Sequence, residues 1–352
     1  MKEPLLSVVV AVYNVENYLR DCLLSLVAQT YGNIEILLVN DGSTDGSLRV
    51  AREFEATDSR IRIISKQNEG LVRTRQRGIE ESKGEYVCFL DGDDYLDKCY
   101  LEKLMHAMRR HGCDCATGEM MKAVAGVATL FMSPNADYIA AEEFARGILL
   151  DELHANLSGR IYKRELLENL SWYPEVTLWE DFITNIQVAL NPDFVGMCVV
   201  RDTFYYYVQR GDSMHRSRVK YEYICDIVKL TDELFEKSIA KHDLYVPERV
   251  VNMADRHYAY MRILSNPWRG DGELSLRLRA AIRDNKKQLK GEMPWLIRQA
   301  SYLYPCKRWF FIVEILVTLQ KWSRSFAKRR GTAAVRYSVP AAGSGNTPEI
   351  LR

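Results

Sequence analysis

The chain has 352 residues, 47% hydrophobic and 27% charged, the composition of a folded globular protein with room for more than one compact unit. Lysine and arginine number 48 against 47 aspartate and glutamate, so net charge offers nothing to a nucleic acid and no such partner is expected. Among eight scattered cysteines, Cys113 and Cys115 lack the spacing and histidine partners of a zinc knuckle, and reduced thiols are the expected state.

Residues 5–13 are apolar, but no cleavage pattern follows them, and the β-branched SVVVAVYN (7–14) suits a first strand covered on both faces. Leu19, Cys22, Leu23, Leu26 and Val27 then recur at helical spacing. IEILLVN (34–40) reads as a second buried strand that runs into the turn-rich DGSTDGS (41–47), where Ser43, Thr44 and Asp45 can each cap the next helix. IRIIS (61–65) is a third strand, and NEGLVRTRQRG (68–78) opens a basic helix. GEYVCFLDGDD (84–94) closes this half with a fourth strand and three carboxylates in four residues, Asp91, Asp93 and Asp94. Alternation at this rhythm predicts a mostly parallel sheet flanked by helices.

Asn14, Asp41 and Asp91 each fall just past the carboxyl end of a predicted parallel strand, the edge where open α/β sheets bind ligands. If the chain stays extended after the fourth strand, Asp91 and Asp93 face the same side and can address one ligand. Carboxylate oxygens suit a hard ion such as Mg²⁺ or Mn²⁺, which in turn suits a diphosphate. No G-x-G-x-x-G follows the first strand, which counts against a dinucleotide-binding domain.

VVVAVYN, VNDGSTDGS, NEGLVRTRQRG and FLDGDD, in this order, resemble the nucleotide-sugar-binding half of family 2 glycosyltransferases with the GT-A fold. SGRIYKRELL (158–167), LWEDFITN (178–185) and FYYYVQRGDSMHR (204–216) are similar to that family's acceptor half. The resemblance implies a GT-A domain over 1–217, with 1–112 for the donor and 113–217 for the acceptor. It implies that Asp41 reads the uracil edge, Asn14 lines the base and ribose pocket, Asp91 contacts the nucleoside and Asp93 holds the metal. Arg75 would pair with Asp41 or steer the diphosphate, and Asp94 would support the metal or face the acceptor. The family often has Asn after that arginine where this chain has Gln76, and Arg73 and Arg77 read as a solvated helix face.

WED (179–181) precedes Ile183, Ile186 and Leu190, so Asp181 sits near a helix N-terminus that favours its ionised form. In the resembled family this aspartate is the general base of a single in-line displacement that inverts the anomeric carbon, with Glu180 in support. Arg160, Lys163, Arg210, His215 and Arg216 are candidates to close over the leaving phosphates, and Trp179 to stack on a sugar. Pocket shape is expected to depend on loops 114–160 and 191–217.

Beyond residue 217 the pattern predicts a helical appendage over 218–330, with helices through Ile224–Phe235 and Val250–Leu264. No run of eighteen apolar residues suggests a spanning helix, but 308–326 has one polar stripe, a broad apolar surface and flanking cations. That profile is expected of a helix lying in a membrane interface, the alternative being one packed on the protein's own core or on a second subunit. The tail 331–352 lacks periodicity and is expected to be disordered. The sequence therefore points to a metal-assisted transferase that moves a sugar from a nucleotide donor, uridine-linked, to a glycan or lipid-linked acceptor. Its expected place is the cytoplasmic face of the membrane. The alternatives are a sugar-phosphate nucleotidyltransferase, which would need a Gly-rich loop that YNVENY (13–18) lacks, and a non-catalytic nucleotide-sugar-binding membrane partner.

Overall fold

The computed structural model describes residues 3–209, apart from 125, 135, 150–152 and 178, together with 227, 230, 231, 233, 234, 336–338, 350 and 351. Two compact units divide between His215 and Arg216; the first holds Met1–His215 and Val335–Arg352, the second Arg216–Ala334. In the second unit, Ile227 and Leu234 are buried helical residues.

Four parallel strands, β1 (Leu6–Val12), β2 (Ile34–Asp41), β3 (Ile61–Lys66) and β4 (Tyr86–Asp91), lie in the order β4-β1-β2-β3. Their runs of valine, isoleucine and leucine are apolar on both faces because both are covered. Val8, Val10, Val12, Ile36 and Leu38 join one core with α1 (Glu16–Val27), α2 (Ser47–Glu55) and α4 (Tyr100–His111). On the opposite face α3 (Leu71–Glu80) crosses close to β1, and Gly78 makes this possible, since a Cβ there would stand 2.1 Å from Val9 Cγ1. α4 ends at Gly112, whose φ of 66° is the left-handed cap that frees the chain to enter the next strand.

The second half continues the same sheet. β6 (Cys115–Val124) and β7 (Val127–Met132) form a hairpin, and β10 (Gly196–Val208) runs parallel to β6. The short β9 (Ile161–Lys163) sits antiparallel between β4 and β6 and joins the halves. β5 (Tyr95–Leu96) and β8 (Tyr138–Ala140) pair with β10, while α5 (Ala141–Leu149), α6 (Glu165–Glu168) and α7 (Glu180–Ala189) complete the layer. Much of 114–160 and 191–217, expected as loop, is thus strand, because Met120, Met121, Met197 and Tyr206 have core to bury. Of the tail 331–352, the described residues are 336–338, 350 and 351. β11 (Arg336–Ser338) pairs with β7 and with β12 (Ile350–Leu351), since the outer edge of β7 offers unpaired backbone groups that a short β-prone stretch can satisfy.

The thiols need one further correction. Cys113 and Cys198 form a disulfide across 85 residues, with Cα atoms 6.2 Å apart. The register that sets Cys198 opposite Ala116 brings the chain just before β6 within bridging range. Cys22, Cys88, Cys99 and Cys115 are free. Among the described residues, no helix is long and apolar enough to cross a membrane.

Candidate functional site

Parallel pairing fixes the height at which the loops leave the sheet. Val12 lies opposite Asn40 and Ala11 opposite Asp91, so the chain after β1, β2 and β4 emerges along one edge. Asn14, Asp41 and Asp91 all stand there, as the sequence suggested. Polar side chains knit the first two loops together. Asn14 Oδ1 accepts from Thr44 N at 2.9 Å, Asn14 N donates to Ser43 Oγ, and Glu16 Oε2 accepts from Gly46 N. Asp45 accepts from Glu16 N and from Ser47 N, the first residue of α2, whose N-cap is Gly46 and not one of the expected Ser43, Thr44 or Asp45.

Asp41 is buried and takes three donors: Lys66 Nζ, Glu69 N at 2.9 Å and Gly70 N at 2.9 Å. Its cationic partner is therefore Lys66, which corrects the expected pairing with Arg75. Lys66 ends β3 on the same edge, a position that the strand pattern alone could have flagged. Gly42, at φ 68°, carries the chain past Asn68 N, where a Cβ would come within 2.8 Å.

After β4 the chain turns instead of staying extended: Asp94 N donates to Asp91 O at 3.0 Å, and Gly92 N to Ala11 O at 2.9 Å. The expected alternation of Asp91 and Asp93 along a strand thus fails, but the turn crowds the carboxylates. Asp91 and Asp93 are half-buried, whereas Asp94 is buried, accepting from Tyr205 Oη and, at 2.7 Å, from Val208 N. Burial holds the Asp94 carboxyl well above the usual range, and Asp93 and Asp91 push it further. The Tyr205 hydroxyl is raised for the same reasons, burial first and Asp94 next. Asp94 is therefore a support within the fold, and no sequence pattern marked Tyr205 as its partner. Hard oxygen donors around excess negative charge fit a divalent cation. Among the described residues no three His, Cys, Asp or Glu side chains form a metal-holding cluster. A cation such as Mg²⁺, bound chiefly through substrate phosphates, requires only one or two carboxylates.

Arg75 is the hub of the opposite wall. From α3 its buried guanidinium bonds Asp181 through Nη1 and reaches Glu180 at 3.4 Å; Nη2 meets Asp91 at 3.2 Å and Ser158 Oγ at 3.4 Å. Burial opposes its charge, but Asp181, Asp91 and Glu180 more than compensate and raise its pKa. Trp179, half-buried, adopts φ 66°, a strained conformation for a bulky residue, and turns the chain so that Glu180 and Asp181 both open α7. Asp181 also accepts from Leu157 N at 3.1 Å. Burial pushes the Glu180 carboxyl up to about 8, Asp181 adds to this, and Arg75 offsets part of it. A cleft beside these groups is lined by Val72, Arg75, Trp172, Tyr173, Glu180 and Thr184, of which the aromatic pair carried no recognisable sequence signal.

Arg160 does not face this edge. It is fully buried, bonded to Asn185 Oδ1 at 3.0 Å and to His154 O, and so braces α7 instead of meeting phosphate. Lys163 pairs with the buried Asp114 at 2.6 Å. Arg210, His215, Arg216, most of the appendage and the helix expected at 308–326 lie outside the described residues.

Residues 7–171 match the family model described as Glycosyl transferase family 2. The chain carries a family 2 glycosyltransferase domain. It is 47% identical over 113 residues to the glycosyltransferase GlyA of Streptococcus pneumoniae, a match covering 32% of this chain and 16% of the relative. It is 31% identical over 221 residues to the uncharacterized glycosyltransferase EpsJ of Bacillus subtilis, covering 60% of this chain and 63% of the relative. The chain thus spans less than two thirds of either relative. The structure of S. aureus TarS 1-349 in complex with UDP-GlcNAc shares the fold at a TM-score of 0.65 and 20% identity, covering 97% of this chain and 98% of that one. The GT-A architecture is therefore that of this family 2 domain.

Proposed function

We propose that this chain moves a sugar from a uridine-linked nucleotide donor to a hydroxyl of a growing glycan or lipid-linked saccharide, with inversion at the anomeric carbon. One observation carries the reading: a single guanidinium joins Asp91, on the donor edge of the sheet, to the Asp181 carboxylate at the start of α7. A proton acceptor beside a nucleotide edge is what displacement of a nucleoside diphosphate requires. The acceptor oxygen bonds to the anomeric carbon and its proton passes to Asp181. The bond from that carbon to the diphosphate oxygen breaks, and its electron pair leaves with the diphosphate. Asn14 and Asp41 shape the base and ribose pocket, Asp91 contacts the nucleoside, and Glu180 supports Asp181. Asp93 would hold Mg²⁺ or Mn²⁺, which neutralises charge on the diphosphate when bound.

The names of GlyA and EpsJ support the reaction class, and TarS, solved with UDP-GlcNAc, makes that compound the first donor to try. Membrane attachment through 308–326 and a site of action on the cytoplasmic face rest on the amphipathic pattern of the sequence. The test is release of UDP from a panel of UDP-sugars with Mg²⁺ or Mn²⁺, beside UDP binding by calorimetry. Asp181→Asn should bind UDP as the parent does and turn over donor roughly two to four orders of magnitude more slowly. A parent that binds UDP yet never releases it from any donor is a binding protein, and a variant within tenfold of the parent removes Asp181 as the base.

A further inference from the structure

Arg75 makes more contacts with the site than any role in binding phosphate explains. Its side chain is 3% exposed, so it is not a surface cation waiting for an anion. All of its bonds run through the two terminal nitrogens, and Nε is buried with no hydrogen-bond partner. The guanidinium is thus oriented by what lies at its far end, the carboxylates, and by the Phe89 ring, whose centroid is 6.0 Å from Cζ. Among the described residues it is the one cation in an ion pair with Glu180 or Asp181.

We propose that Arg75 is a positioning residue for the transfer step: it aims the Asp181 carboxylate and fixes α7 at its distance from Asp91. The proposal rests on the glycosyl transfer argued above and adds a role that phosphate steering does not include. Leu157 N holds one oxygen of Asp181 and Arg75 the other, so the carboxylate is gripped from two sides while its side chain stays 24% exposed. Without the guanidinium, Glu180 and Asp181 would stand side by side with no compensating charge, and the Glu180 carboxyl, already raised by burial and by Asp181, would lose the cation that lowers it. The titratable and charged groups facing the pair are Arg75 from α3, Asp91 from β4 and Tyr162 from β9.

The experiment compares Arg75→Met and Arg75→Lys with the parent in the full-length chain. It reads the pH dependence of UDP release from whichever UDP-sugar the parent turns over, together with UDP binding and the melting temperature. Arg75→Met should lower the rate at least a hundredfold at pH 7 and move the acid limb of the profile up by about one pH unit or more. Arg75→Lys restores a charge but not the two-sided grip, so the limb should return toward the parent's while the rate stays more than tenfold low. A merely structural arginine would lower the melting temperature and the rate and leave the limb in place, and that result overturns the proposal. If Arg75→Met does not fold, Arg75→Lys decides, because a parent-like rate with lysine overturns it too. An active parent with an unmoved limb in Arg75→Met removes only this role, whereas a parent that binds UDP without ever releasing it from a donor removes the transfer itself.

Discussion

Glu180→Gln should stabilise the protein at alkaline pH, by an amount that grows with pH. Burial pushes the folded-state carboxyl from 4.5 to about 8, Asp181 acts in the same direction, and Arg75 opposes them only in part. In the unfolded chain the same group titrates near its ordinary value of about 4.3. The folded protein therefore holds a proton that the unfolded chain has lost. Stability from this group is fully present below the unfolded value, falls as pH rises, and is gone once pH passes the folded value. Glutamine imitates the protonated form at every pH and escapes the loss. Each tenfold change in acidity is worth about 1.36 kcal/mol, which sets a ceiling near 5 kcal/mol. For a chain of 352 residues that ceiling corresponds to about 7 °C in melting temperature. Calorimetric melts of parent and variant at pH 5.5 and 8.5 measure it directly. A difference that is the same at both pH values, or a variant less stable at pH 8.5, refutes the account of Glu180 as a carboxyl buried against its will.

Three further outcomes follow from other parts of the site and its scaffold. Asp93→Ala should abolish the dependence of UDP binding on added Mg²⁺ or Mn²⁺ and with it donor turnover; metal-dependent binding that survives the change excludes this carboxylate as the ligand. Tyr205→Phe leaves one oxygen of the buried Asp94 without its donor and should cost about 1–3 kcal/mol, read from the urea midpoint; an unchanged midpoint means the bond adds nothing. Cys113→Ser removes the bridge to Cys198 and should lower stability by about 2–4 kcal/mol, whereas equal melts with and without reductant show that the bond contributes little.

The donor half was legible because its signals are local. Valine and isoleucine runs are apolar on both faces only when helices cover both faces, and each run ended within two residues of its expected place. The start of α3 shifted from residue 68 to Leu71, since Gly70 takes φ 87° and Asp41 ties down the amides of Glu69 and Gly70 before the helix can begin. Side-chain partners were another matter. That Arg75 meets Asp181 depends on where α7 lies, 106 residues further on, and no local pattern encodes that distance. Arg160 read as a candidate to close over the leaving phosphates. Its burial follows from the β9–α7 packing, where Asn185 Oδ1 and the His154 carbonyl accept the hydrogen bonds that make a buried guanidinium tolerable.

Asp41 shows how the same residue can be right in place and different in chemistry. A carboxylate offers about four acceptor positions, and Lys66, Glu69 N and Gly70 N occupy three of them. One position on Oδ2 remains, enough for a single N–H of a base. The cost of placing this buried carboxylate is met by Lys66 and the two amides before any ligand arrives, so nucleotide binding does not have to supply it. The loop that would lie against the base is therefore built by the folded chain itself: Asp41 fastens Glu69 and Gly70, and Gly42 leaves room for Asn68. On the proposed reading, a substitution at Asp41 would act on two levels, removing one contact to the base and releasing the loop that Asp41 fastens.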